Sequence, residues 1–303
     1  MAAPQKTSRR DLLRSSTLLA GLAAASPLFA IEPIVRPTRQ RMRLSLAAYS
    51  MRKYLQAKSD QPGAMDLPAF IDWAAGLDLD AVELTAYYFP PNPEPTYLAQ
   101  LKRSCHIAGL DISGGAIGNN FTHPDGPELE RQMDYTKTWI ERYAALGVTT
   151  IRVFAGVPPK GTSEEEGVAR AVRNLRAACE YAGRFGVILA IENHDYLTRI
   201  DRLLEVVRQV DSPWFGVNLD SANVSDPQPY EALAKIAPYA VNVQVKTEIP
   251  TGRGGKEPVD LSRVMNILRD VRYSGYVVLE YEGGEEPYDA VPRHLSELRS
   301  ALA

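Results

Sequence analysis

Histidine and cysteine are scarce in this chain, with four and two among 303 residues. Cys105 and Cys179 stand far apart and in no metal-ligand spacing, which excludes a structural zinc centre. They read as two buried free thiols, with one disulfide as the alternative if the chain is exported. No Gly-rich phosphate loop follows the first apolar strand, so an open dinucleotide-binding sheet is disfavoured. The uncharged run from Ser15 to Ala30 is shorter, and less apolar, than the ~20 residues of a comfortable membrane span. An excess of basic charge is also missing. The net charge is −3, and beyond residue 30 there remain 30 basic and 36 acidic side chains. Such a body has no broad attraction for nucleic-acid phosphates.

Residues 1–30 begin with Lys6, Arg9, Arg10 and Arg14, continue into the uncharged stretch and close on small residues and a proline. That order is the layout of an export signal, and Ser8-Arg9-Arg10-Asp11-Leu12-Leu13 has the twin-arginine form used for folded cargo. An exported, periplasmic destination is therefore expected. Residues 31–41 read as a proline-rich linker.

From residue 42 onward, strand-length apolar runs alternate with helical patterns eight times. The strands are expected at 42–49, 81–87, 110–117, 149–156, 187–193, 214–220, 239–246 and 275–281. Helix signals lie between them: Gly147 as a stop after 128–146, and Ser163-Glu164-Glu165-Glu166 as a capped start with acids at the positive end of the dipole. Eight such units predict an α/β fold, a closed (β/α)8 TIM barrel over residues 42–303.

Four of the late strands, VILAIE, WFGVNLD, YAVNVQ and GYVVLE, stop abruptly on Glu192, Asp220, Gln244 and Glu280. In a closed parallel barrel those ends meet at one mouth, where chemistry resides. Three carboxylates crowded there repel one another unless a cation holds them. Oxygen donors without thiolate favour Mn²⁺ or Mg²⁺, with Co²⁺ and Zn²⁺ as alternatives.

With LAIENH, GVNLDSAN, VNVQVKTEI and GGKEPVDLSRVMNILRDVRYSGYVVLEYEGGEEP in view, the chain resembles the xylose-isomerase-like TIM barrels of the sugar phosphate isomerase/epimerase family. Within that family it looks closest to an exported bacterial subgroup, and the likeness spans residues 42–300. The resemblance implies one divalent ion held by Glu192, Asp220, Gln244 and Glu280, where Gln244 replaces the family's usual histidine. It also implies that Glu192 and Glu280 exchange a proton with the substrate while Asp220 stays a plain ligand. Asn223 stands where the ketose 3-epimerases of the family carry another histidine. Barrels of the family often pair, which leaves a homodimer open.

Further candidates surround this set. His194 is a candidate hydrogen-bonding partner for a sugar hydroxyl or a structural loop residue. Lys246 lies two residues past Gln244 on the same face, placed to neutralise a developing oxyanion or to pair with Glu248 or Glu280. Glu248 is either a metal ligand or that lysine's partner. Tyr49, Arg52, Tyr87, Phe89, Asn119 and Phe154 sit at the ends of strands one to four, as substrate contacts or barrel caps. Glu83, in mid-strand, is expected to pair with a base in the barrel interior. Residues 252–258 read as a solvated loop or a lid.

The chemistry implied is metal-dependent isomerisation or epimerisation of a small-molecule sugar or keto-sugar by proton abstraction through an enediolate. Two alternatives stand beside it: a metal-dependent lyase that eliminates from 3-keto-glycosides, and a non-catalytic periplasmic sugar-binding barrel. Repair endonucleases sharing the barrel need a histidine-rich zinc site, which His106, His123, His194 and His294 do not supply.

Overall fold

The computed structural model describes residues 32–36, 39–58, 61, 63–252 and 254–303, so the leader expected over 1–30 lies outside the described residues. Eight parallel strands close into a barrel: β1 (Met42–Ala47), β2 (Ala81–Thr85), β3 (Asp111–Ala116), β4 (Thr150–Val153), β5 (Ile188–Glu192), β6 (Phe215–Asp220), β7 (Ala240–Val245) and, eighth in the ring, β10 (Gly275–Leu279). Their order around the ring is the order of the chain, and β10 closes it by pairing with β1 through Leu44 and Val277. The fold is the predicted (β/α)8 TIM barrel.

Local chemistry fixes the surrounding helices. Before α5 (Glu164–Gly183), Ser163 and Glu166 form a reciprocal capping box, with Glu164, Glu165 and Glu166 in the first turn. Helix α4 (Pro127–Leu146) stops at Gly147, whose φ of 84° is the left-handed conformation that glycine adopts without strain. Asp260 caps α8 (Leu261–Asp270) by accepting from the Arg263 amide at 3.0 Å. The last helix, α9 (Pro287–Leu302), follows the eighth strand.

One pair of elements is additional to the predicted pattern. Strands β8 (Glu248–Pro250) and β9 (Lys256–Pro258) form an antiparallel hairpin beyond β7, where a loop or lid over 252–258 was expected. Both strands have only three residues, too short for periodicity to reveal.

Strand alternation divides the barrel sharply. One face carries Leu44, Leu46, Val82, Leu84, Ile151, Leu189, Ile191, Val217, Leu219, Val243, Val277 and Leu279, all buried in the apolar core with the helices. The other face turns Ser45, Glu83, Ser113, Arg152, Glu192, Asn218, Asp220, Asn242 and Gln244 inward, all of them also buried. A barrel interior usually fills with branched apolar side chains. Here it is polar, and nearly every group in it has a partner.

Packing between strand and helix is tight at Gly115 in β3. A Cβ there would lie 2.4 Å from the ring of fully buried Tyr143, whose hydroxyl donates to the Leu84 carbonyl at 2.6 Å. Gly115→Ala should therefore destabilise the fold by about 1–3 kcal/mol, the usual cost of overpacking, as read from the urea midpoint at unchanged m-value.

Candidate active site at the barrel mouth

Glu192 and Asp220 are the last residues of β5 and β6, and Glu280 follows β10 directly. Their burial is complete or nearly so, because each ends a strand whose neighbours close over it. Asp220 is held by the loop it opens: its Oδ1 accepts from the amides of Ala222 and Asn223, both at 2.8 Å. Asn193 braces the same turn, accepting from the Asp220 amide at 2.9 Å and donating to its carbonyl at 2.8 Å. Asp220 Oδ2 is buried and makes no hydrogen bond, only an ion pair with Lys246 Nζ at 3.3 Å.

Two cations answer the carboxylates. Arg152, from β4, brings Nε to 3.0 Å from Glu192 Oε2 and donates Nη1 to the Ile117 carbonyl at 2.9 Å. Lys246, just past β7, places Nζ 3.0 Å from Glu282, 3.3 Å from Asp220 and 3.5 Å from Glu280. Asn223, standing at the histidine position of the resembling epimerases, donates to Glu192 Oε1 at 2.9 Å. Four carboxylates against two cations leave the mouth with a formal charge of −2.

Burial, reinforced by Asp220 and opposed by Arg152 and Lys246, pushes the Glu192 carboxyl up to about 7. Burial again, with Glu192, Asp220 and Glu282 adding to it against Lys246, pushes Glu280 up to about 8. For Lys246 burial works against the charge, yet Asp220, Glu280, Glu192 and Glu282 outweigh it and hold the ammonium above the ordinary lysine range.

Gln244 lies in a hydrogen-bonded chain beneath this layer. Its Nε2 donates to Glu83 at 2.6 Å and its Oε1 accepts from Asn218 at 2.6 Å; Asn242 donates to both Glu83 and Asn218. Glu83 is thus partnered by two amides, where a base was expected, and burial holds it up at about 7. A carbonyl oxygen has two lone pairs, so Asn218 leaves one on Gln244 unused.

The remaining candidates separate. Phe154 has the Arg152 guanidinium 4.0 Å over its ring and His194 tilted against it, 4.4 Å between centroids. His194 is half-buried, with Nδ1 3.1 Å from Asp195. Tyr49 is half-buried under Arg52, which donates to the carbonyls of Tyr281 and Glu282 at 2.7 and 3.3 Å. Asn119 spends both ends of its amide on the Phe154 backbone, at 2.7 and 3.0 Å, and so positions that ring. Phe89 is packed against Trp139 and Tyr143 in the core, and Glu248 is exposed on the hairpin. Of its two expected partners Lys246 pairs with Glu280 and not with Glu248, and it pairs with Asp220 and Glu282 as well. Arg152, Glu282 and the buried, unpartnered hydroxyl of Tyr88 were not singled out from sequence. Strand parity could have found the first, since Arg152 stands inside β4 two residues before Phe154.

A hard dication suits this donor set by three tests: the residual charge, the Asp220 oxygen met only by the Lys246 ammonium, and the spare lone pair on Gln244. The acids are not gathered as a chelate. Among the described residues no three His, Cys, Asp or Glu side chains are grouped closely enough to hold an ion.

The family model for the xylose isomerase-like TIM barrel matches residues 71–298, and the chain belongs to that family. A putative hydroxypyruvate isomerase of Streptomyces coelicolor is 24% identical over 236 residues, covering 71% of this chain and 85% of that protein. Among solved structures, D-psicose 3-epimerase with D-tagatose from Clostridium cellulolyticum H10 superposes with a TM-score of 0.67 at 18% identity, over 86% of this chain and 97% of that one. The 3-keto-D-glucoside 4-epimerase of E. coli does so with a TM-score of 0.65 at 16% identity, over 86% and 100%. These structural likenesses concern the fold. Among the described residues no helix is long and apolar enough to cross a membrane.

A carboxyl whose folded-state affinity for protons is raised stabilises the fold while protonated, and that contribution is lost as pH rises toward the raised value. The chelator-treated protein should therefore melt lower by a few degrees at pH 8 than at pH 5.5. In Glu280→Gln the slope should flatten, as read by calorimetry across that window.

Proposed function

We propose that the protein is a divalent-metal-dependent isomerase or epimerase of a free sugar or keto-sugar. The observation that carries this reading is the placement of Glu192 and Glu280, two buried carboxyls that end β5 and follow β10 at one barrel mouth, each answered by a buried cation, Arg152 or Lys246. One glutamate removes the proton from the carbon beside the substrate carbonyl, and the other returns it, to the opposite face or to the neighbouring carbon. Arg152 fixes the Glu192 carboxylate through Nε, and Asn223 fixes its other oxygen. The Phe154 ring, braced by Asn119, offers an apolar surface for sugar C–H groups, with His194 beside it to hydrogen-bond a hydroxyl.

Glu192, Asp220, Gln244 and Glu280 would hold the ion, Mn²⁺ or Mg²⁺ by their all-oxygen character, with Co²⁺ or Zn²⁺ as substitutes. When bound, it supplies Lewis-acid stabilisation of the negative charge that builds on the substrate oxygens. The names of the relatives support an isomerase or epimerase, and the twin-arginine pattern of residues 1–30 supports a substrate met outside the cytoplasm. A second reading rests on the keto-glucoside named for the E. coli structure. The same abstraction beside a ring ketone expels a glycosidic oxygen at the β-position, which makes a lyase that releases an aglycone.

Sugars and keto-sugars incubated with the Mn²⁺-supplemented enzyme in deuterated water should gain deuterium at a single carbon. Glu192→Gln and Glu280→Gln should each slow that exchange by about 10²–10⁴-fold, the usual worth of a general base. Turnover that survives complete metal depletion would contradict the reading, and an aglycone among the products would favour elimination.

A further inference from the structure

We infer that Lys246 is a tethered counter-ion that occupies the carboxylate cluster in the metal-free protein and is handed to Glu282 as the dication enters. The inference rests on the metal reading above and concerns a residue that the reading leaves without a role. Nζ of Lys246 lies among three carboxylates, and its side chain is only 9% exposed. An ammonium is buried to that degree only where acids compensate its lost hydration. Two of the three acids, Asp220 and Glu280, belong to the proposed ligand set. Glu282 does not, and it is both the nearest, at 3.0 Å, and the most exposed, at 33%.

The backbones of both partners are pinned. The Lys246 amide donates to Ser221 Oγ at 2.9 Å, and Arg52 holds the Glu282 carbonyl at 3.3 Å. The part that can move is the flexible four-carbon stem and its charge. Arg152 lacks that freedom, since it is bound to Glu192 and to the Ile117 carbonyl. A dication held by Asp220 and Glu280 would repel the Lys246 ammonium, and Lys246 has the Glu282 carboxylate on its outer side ready to keep it. The same lysine prevents the acids from repelling one another before the ion arrives. It therefore lowers metal affinity and preserves the site.

The test is calorimetric titration of Mn²⁺ into the chelator-stripped full chain at constant pH. Lys246→Met should bind Mn²⁺ about tenfold tighter or better than wild type, because a competing positive charge has left a buried site. Glu282→Gln should weaken binding while Lys246 is present, since the lysine then has no outer perch, and should weaken it much less in the Lys246→Met background. Metal-free Lys246→Met should also melt lower than wild type and gain more on addition of Mn²⁺, and Lys246→Gln serves if the methionine variant fails to fold. Equal affinity in wild type and Lys246→Met, or an equal effect of Glu282→Gln in both backgrounds, overturns the counter-ion role alone. Mn²⁺ bound by neither protein overturns it together with the metal reading.

Discussion

Negative charge gathered where a closed barrel leaves it no escape is the constraint on which the site depends. Parallel strands must converge at their carboxyl ends, and β5, β6 and β10 each deliver a carboxylate there. Water is largely excluded, so the repulsion is barely screened. Two cations from neighbouring strands offset half of the charge, and burial, reinforced by the neighbouring carboxylates, raises the proton affinity of Glu192 and Glu280. The same imbalance disfavours the metal-free protein. One oxygen of Asp220 is answered only by the Lys246 ammonium, at 3.3 Å.

What lies below makes this arrangement rigid. Glu83, Asn242, Asn218 and Gln244 form a closed set of buried hydrogen bonds across the barrel interior, each donor meeting an acceptor. Such a network is costly if any member is lost and specific when it is complete. It fixes the floor of the site, while the apolar face of the same strands packs outward against the helices. Stability and chemistry thus reside on opposite faces of one sheet, separated by the alternation of side chains.

Much of this was legible in the chain. Eight strands, their helices and the three carboxylates at the mouth follow from apolar runs with polar ends, because a β/α barrel repeats one local pattern. The capping box at Ser163 and the stop at Gly147 were equally plain, since both rest on short-range chemistry. Arg152 escaped attention because attention to strand ends passes over a charge within the strand TIRV. Glu282 escaped because it stands in a loop, and its meeting with Lys246 joins segments 36 residues apart. Asn119 looked like a substrate contact, yet it is consumed by the Phe154 backbone, a partnership set by tertiary placement. The hairpin of β8 and β9 is too short to leave a periodic trace.

The central claim is that the excess charge at the mouth belongs to a single bound dication. Elemental analysis of the purified chain, stripped by chelation and reloaded with Mn²⁺, tests it most directly when Asp220→Asn is carried alongside. A single ion per chain in the wild type, lost or much weakened in the variant, is the predicted result. An ion-free wild type, or a variant that retains the ion as tightly, would contradict it.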